Sequence, residues 1–172
     1  MVYIEKIKRR KLFMKILGIN GWTERGHDGG ASFLENGKLK FAIEEERLIG
    51  IRHAYDRVPY ESIKLICEKE NISINDIDKI AIGWDYPKLW KMFGAEFIRK
   101  AEMSKVLFGT AEFAEKIEYI EHHVAHACSA FYPSGFENAL VLVIDGQGEK
   151  IATSVFLGDK SKTTLTKLYE TP

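Results

Sequence analysis

Residues Tyr119–Glu149, YIEHHVAHACSAFYPSGFENALVLVIDGQGE, decide how the rest of the chain is read. Three of the five histidines fall here, at His122, His123 and His126. Positions four apart share one face of a helix, so His122 and His126 can converge on a single ion; His123 and His126, three apart, can also meet. Neutral imidazole suits Zn, Fe, Ni and Cu ions. The apolar run from Ala139 reads as a central strand that ends at Asp145, and ligands of open α/β sheets collect at strand carboxyl ends. Gly146 and Gly148 carry no Cβ, so their amides are expected to approach a phosphate. Asp-Gly is also a favoured hairpin dipeptide. The stretch therefore predicts a helix, a strand and an acidic glycine turn, with a metal and phosphate site between them.

Upstream, Lys15–Asn20 is a short apolar run closed by Asn20-Gly21, which reads as a buried strand. Ala31–Glu35, the turn Asn36-Gly37 and Lys38–Ile43 form a hairpin, so the chain opens with a three-stranded meander. Pro59 suits a helix start, with Tyr60, Ile63, Ile66 and Cys67 along one face. Lys79–Gly83 is a fourth strand, expected parallel because a helical crossover precedes it. Pro87–Lys116 reads as largely helical, with Trp90, Phe93, Phe97, Phe108 and Phe113 to bury. Ile117–Ile120 is a short strand, and the histidine helix then runs to about Phe131, with Cys128 in its core face. The order βββαβαβα is that of the α/β ribonuclease-H-like (actin-like ATPase) domain, a mixed sheet with helices on both faces.

After Gly135 the pattern starts again. Leu142–Gln147, LVIDGQ, lines up with Leu17–Trp22, LGINGW, and Thr153–Lys162 matches Ala31–Lys40 in character. Such a repeat implies tandem domains. The expected division is an extension over 1–13, a first domain over 14–136 and the opening strands of a second over 137–172. A sheet stopping after three strands has an open edge, so pairing of two copies through residues 139–169 is expected.

The 172 residues are enough for one full α/β domain and short for two. Acids and bases balance at 25 each, which gives no reason to expect a nucleic-acid or membrane-surface partner. Two cysteines make no disulfide framework, and a reducing cytoplasm is the expected location. No apolar run approaches the ~20 residues of a membrane span. MVYIEKIKRRKLF is basic but lacks the apolar segment of a signal peptide.

The loop after the first strand holds His27 and Asp28 between glycines. A loop histidine of near-neutral pKa can act as a general base, or can simply be a surface group bonded to Asp28. Repeat symmetry predicts this loop opposite the Asp145 turn. Arg47, Arg52 and His53 can offer positive charge to a phosphate-bearing ligand, or form a solvated loop.

NGWTERGHDGGASFLENGKLKFAIEEERLIGIRH resembles the opening of carbamoyltransferases of the nodulation and antibiotic-tailoring type, and HHVAHACSAFYPSGFENALVLVIDGQGE resembles that family's second block. The likeness runs from about Met14 to the end. It implies an O-carbamoyltransferase whose further C-terminal portion makes carbamoyl-adenylate from carbamoyl phosphate and ATP, and whose acceptor is a hydroxyl of a sugar-like molecule. The family is related to tRNA threonylcarbamoyl-adenosine transferases, which hold an iron-type metal through an HxxxH pair. On that likeness His122, His126 and Asp145 are the metal ligands, with Fe first and Zn or Mn as alternatives. His27 is the catalytic base. Gly146, Gly148, Asn20 and Gly21 line the phosphates, although Asn20-Gly21 replaces the acidic turn of related kinases. Asp28, Arg47, Arg52 and His53 are expected to face substrate. The expectation is a fragment inactive until the remaining portion or a partner chain supplies the donor. A non-catalytic nucleotide- or metal-binding module is the alternative. A sugar kinase fits less well, because it gives the histidine helix no role.

Overall fold

The computed structural model describes residues 13–22, 26–92 and 99–172. The extension through Leu12 and the aromatics Phe93 and Phe97 lie outside the described residues, as does the Trp90 side chain. Strands β1 (Lys15–Asn20), β2 (Gly30–Glu35) and β3 (Lys38–Glu44) form the expected antiparallel meander. Asn36 and Gly37 turn the second hairpin with φ of 55° and 77°, the left-handed pair that a two-residue loop requires.

Helix α1 (Glu45–Ile49) and helix α2 (Tyr60–Glu70) follow. Ile63 and Ile66 of α2 are buried as expected, but Tyr60 is exposed, its hydroxyl donating to Val106 O. Its position on the helix suited burial; its polar tip found a carbonyl at the surface instead. Pro59 cannot cap α2, and the buried Glu45 does so from another element. Its Oε1 accepts from Glu61 N at 3.1 Å, and its Oε2 from Ser62 N and Oγ at 2.8 and 2.6 Å.

Strand β4 (Lys79–Ile82) lies beside β1, and β5 (Ile117–Tyr119) lies beside β4, giving a five-stranded sheet ordered β3-β2-β1-β4-β5. Asp78 N donates to Lys15 O at 2.9 Å, so β1 and β4 begin side by side and run the same way, as a crossover demands. The helical region between β4 and β5 contains α3 (Tyr86–Met92) and α4 (Lys100–Phe108). Leu17, Phe33, Ile66, Ile80, Met103 and Ile117 are among the fully buried side chains of this part.

Helix α5 (His122–Phe131) leads to a second sheet of β6 (Asn138–Gly148), β7 (Ile151–Asp159) and β8 (Thr164–Thr171), antiparallel in that order. The expected turn at Asp145–Gly148 is instead the irregular end of β6, where register is lost between Ile144 and Gly148. The chain reverses only at Glu149-Lys150. Along β6, Val141 and Val143 pack with Ala127, Phe131 and Phe156, while Leu140, Leu142 and Ile144 stay exposed. Period-two alternation thus gives the sheet one face covered by α5 and one apolar face that α5 does not cover.

By contacts the described residues form two compact units. One holds those up to Ala81 with Lys100–Glu118; the other holds those from Ile82 to Arg99 with Tyr119–Pro172. Helix α5, read from sequence as the close of a first domain ending near 136, groups with β6–β8, because its Ala127 and Phe131 are buried against that sheet. No helix among the described residues is long and apolar enough to cross a membrane.

Candidate metal centre and histidine–aspartate loop

Helix α5 presents His122 and His126 on one face and His123 on another, which resolves the ambiguity of spacing. His122 Nε2 lies 2.9 Å from Asp145 Oδ2 and 3.0 Å from His126 Nε2, and His126 Nε2 is 3.8 Å from the same carboxylate oxygen. His122 Nδ1 is 2.9 Å from Gly83 O, which can only accept, so Nδ1 carries the ring proton. In the neutral ring, Nε2 of His122 then turns a lone pair toward a carboxylate and a second imidazole. A proton on His126 can serve one of these partners, not both. By type and distance these three groups could hold a divalent cation. Trp84 stacks on the His122 ring at 3.7 Å and fixes its plane. Burial, and then the neighbouring His122, hold the His126 imidazole below its ordinary pKa, against the opposing pull of Asp145.

His123 is buried and its Nδ1 lies 2.8 Å from Ser154 Oγ. Burial lowers its pKa as well. A Cβ added at Gly148 would sit 2.5 Å from His123 Nε2 and 3.3 Å from His122 Cδ2, so this glycine is required by imidazole packing. Gly146 has open space where a Cβ would go, and its amide donates to Asp145 Oδ1 at 2.6 Å.

The second cluster lies in the other unit. Asp28 accepts from His27 Nδ1 on one oxygen at 2.7 Å and from His53 Nδ1 on the other at 2.8 Å. The two loops are tied by Asp28 N donating to His53 O and Asp56 N donating to Gly26 O. Glu46 Oε2 accepts from His53 N, and Asn20 Nδ2 donates to Asp28 O. Asp28, His53, Ala54 and Asp56 all adopt positive φ, between 40° and 60°. Strained non-glycine backbone of this kind persists where surrounding contacts impose it and gathers at functional sites. The hydrogen bonds from His53 and His27 hold the Asp28 carboxyl below its usual range. Both rings then leave Nε2 available to accept a proton. Tyr55 packs at a tilt against both, its centroid 6.1 Å from His27 and 5.3 Å from His53.

Gly21, at φ 118°, is demanded by close packing: a Cβ there would meet Gly29 Cα at 2.9 Å and Arg57 O at 3.0 Å. Arg47 pairs with Glu44 and Glu46, and Arg52 is exposed on a single 3₁₀ turn. Asp28, Glu46 and His53 also form a three-ligand group by distance. Sequence reasoning gave no role to Trp84, Glu46 or Glu149. Trp84 was within reach of the rule that sites gather at strand carboxyl ends, since it follows β4 directly.

The family described as Carbamoyltransferase N-terminus matches residues 15–108 and 85–172. The chain is 35% identical over 136 residues to the nodulation protein NolNO of Sinorhizobium fredii, covering 72% of this chain and 20% of that protein. An uncharacterised protein of Synechocystis is 27% identical over 177 residues, covering 87% of this chain and 28% of its own length. The chain thus spans 20% and 28% of the length of these curated relatives. Among solved structures, YeaZ from Pseudomonas aeruginosa superposes with a TM-score of 0.50 at 11% identity, over 92% of this chain and 66% of that one. This likeness concerns the fold alone and, with the β3-β2-β1-β4-β5 order, identifies it as ribonuclease-H-like, the actin-like α/β fold.

Proposed function

The chain belongs to the carbamoyltransferase N-terminus family, and on that premise we propose that it is the acceptor-activating part of an O-carbamoyltransferase. The acceptor is a hydroxyl of a sugar-like molecule, and the donor is carbamoyl-adenylate formed from carbamoyl phosphate and ATP. The observation that carries this reading is Asp28 set between His27 and His53 at 2.7 and 2.8 Å. A hydroxyl is a weak nucleophile at neutral pH and needs a base as it attacks. Asp28 fixes the His27 proton on Nδ1, so Nε2 takes the hydroxyl proton while the oxygen bonds to the carbamoyl carbon. The bond from that carbon to the adenylate phosphate oxygen breaks, and AMP leaves with its electron pair. His53, held by the same carboxylate, keeps Asp28 from turning away from His27.

His122, His126 and Asp145 fit a divalent metal, with iron the first candidate and zinc or manganese acceptable. Bound there, the metal would supply positive charge to a carbamoyl or phosphate oxygen. The ligand set and its support, Gly83, Trp84 and Glu149, belong to a single unit. That self-sufficiency favours a second reading, in which the chain is a metal- or nucleotide-binding module without turnover of its own.

Incubation with carbamoyl phosphate, ATP and a panel of sugars and aminoglycosides separates the two. Carbamoylated product, read as a mass shift, is expected when the C-terminal portion of a longer family member is supplied, and not from the chain alone. His27→Ala should lower the rate by about 10²–10⁴-fold. An undiminished rate in His27→Ala would discard the base assignment. Metal binding with no product under any condition would leave the binding module.

A further inference from the structure

Between β6 and β7 the chain turns through only two residues, Glu149 and Lys150, with Gly148 paired to Ile151. Both have positive φ, 53° and 73°. Two-residue turns of this kind favour Asn-Gly, because the left-handed region is costly for residues with larger side chains. Glu149 is nevertheless held there, and its side chain is turned inward to 2% exposure. Burial pushes its carboxyl up from the usual range, against the pull of the two amides it accepts from and of Lys88. A charged residue kept in a strained turn and buried is held by a specific contact.

Glu149 Oε1 accepts from His122 N at 3.2 Å and from Asp85 N at 2.7 Å. The first amide of α5 has no partner within its helix, and Glu121, the residue before it, makes no side-chain cap. The two anchored amides bracket His122. One belongs to His122 itself. The other follows Trp84, whose ring stacks on the imidazole, and Gly83, whose carbonyl accepts a hydrogen bond from its Nδ1. Glu45 caps α2 in a similar way but uses both oxygens. Glu149 Oε2 has no hydrogen-bond partner and faces Lys88 Nζ at 3.9 Å.

We propose that Glu149 is the positioning residue of the histidine cluster: one carboxylate oxygen locks the His122 backbone and the Gly83–Asp85 segment together, and so aims His122 Nε2 at His126 and Asp145. This rests on the metal-centre reading given above. Residues that orient a metal's ligands in this way typically contribute 10–100-fold to affinity.

Cobalt(II) titration followed by visible absorption, with amide hydrogen exchange on the same protein, tests it. Glu149→Ala is expected to weaken Co²⁺ binding by about 10–100-fold, alter the Co²⁺ spectrum, and speed exchange at the His122 and Asp85 amides. Glu149→Gln keeps a carbonyl acceptor and should stay near wild type. Glu149→Asp is one methylene short of spanning both amides and should resemble the alanine variant, which keeps the test decisive if alanine does not fold. Lys150→Gly should raise thermal stability without changing Co²⁺ affinity. Absence of Co²⁺ binding by the wild type would refute the metal centre, and the exchange rates would still decide whether Glu149 locks the two segments. Wild-type affinity and slow His122 and Asp85 amides in Glu149→Ala would overturn the proposal.

Discussion

The two histidine clusters use the same side-chain types to opposite ends. Around Asp145, with neutral rings, the acceptors outnumber the protons: His122 donates from Nδ1 to Gly83 O, and its Nε2, His126 Nε2 and Asp145 Oδ2 converge. Around Asp28 the account closes, because each carboxylate oxygen already has an imidazole donor. In the first arrangement two ring nitrogens and a carboxylate oxygen converge; in the second each ring spends Nδ1 on the carboxylate and keeps Nε2 apart from it. Their supports differ too. His122 and His126 stand on a helix seated on a sheet, whereas Asp28 and His53 stand on loops with left-handed backbone. The lesson is that hydrogen-bond pairing, more than residue type, separates the proposed metal site from the proposed proton-handling one.

The largest expected effect tests that distinction directly. His122→Ala with His126→Ala should reduce divalent-cation affinity by at least about 100-fold, since two ligands are lost where even supporting residues cost 10–100-fold. Asp28→Asn should leave it unchanged. Elemental analysis of protein prepared without chelator, followed by calorimetric titration, measures both; equal losses in the two variants would erase the contrast.

Next is the platform of the helix site. Phe131 is 2% exposed and packs with Val141, Val143 and Phe156, so Phe131→Ala should cost about 3–5 kcal/mol in urea unfolding. Gly158→Ala should also destabilise, by about 1–3 kcal/mol, because its Cβ would meet the Phe131 ring at 2.5 Å.

A smaller effect sharpens the loop side. Asp28 is held below its ordinary 3.8 by hydrogen bonds from His53 and His27. Its contribution to stability is therefore complete above that value and is lost as pH falls through the lower folded pKa. The amount is modest because the carboxylate is half-exposed. Urea midpoints followed from pH 5 downward should show this loss in the wild type and not in Asp28→Asn. The smallest effect lies at the end of β7. Asp159, bonded by Ser161 and Lys162, should titrate at about 2 by NMR, with Asp159→Asn leaving the unfolding midpoint almost unmoved.

Local chemistry made much of this legible beforehand. Asn36-Gly37 marked a hairpin because its two residues tolerate left-handed backbone, and β1 ended where Asn20-Gly21 broke an apolar run. The HxxxH spacing put two imidazoles on one helical face, and His27-Asp28 announced a bonded pair. The Asp145–Gly148 stretch misled for the same reason: two glycines and an aspartate look like a turn. Pairing with β7 resumes at Gly148, which places the reversal at a Glu-Lys pair that no turn rule selects.

What the sequence determined by itself was periodicity and motif: the meander, the crossover helices, the apolar β6 and the HxxxH pair, all fixed by neighbours within a few residues. What only the tertiary structure decided was which atoms share a donor. His122 meets Gly83 across 39 positions, Asp28 meets His53 across 25, and Glu149 meets Asp85 across 64. Those pairings depend on how sheets and helices close on one another, and no local pattern of neighbouring residues encodes which distant partner each group will meet.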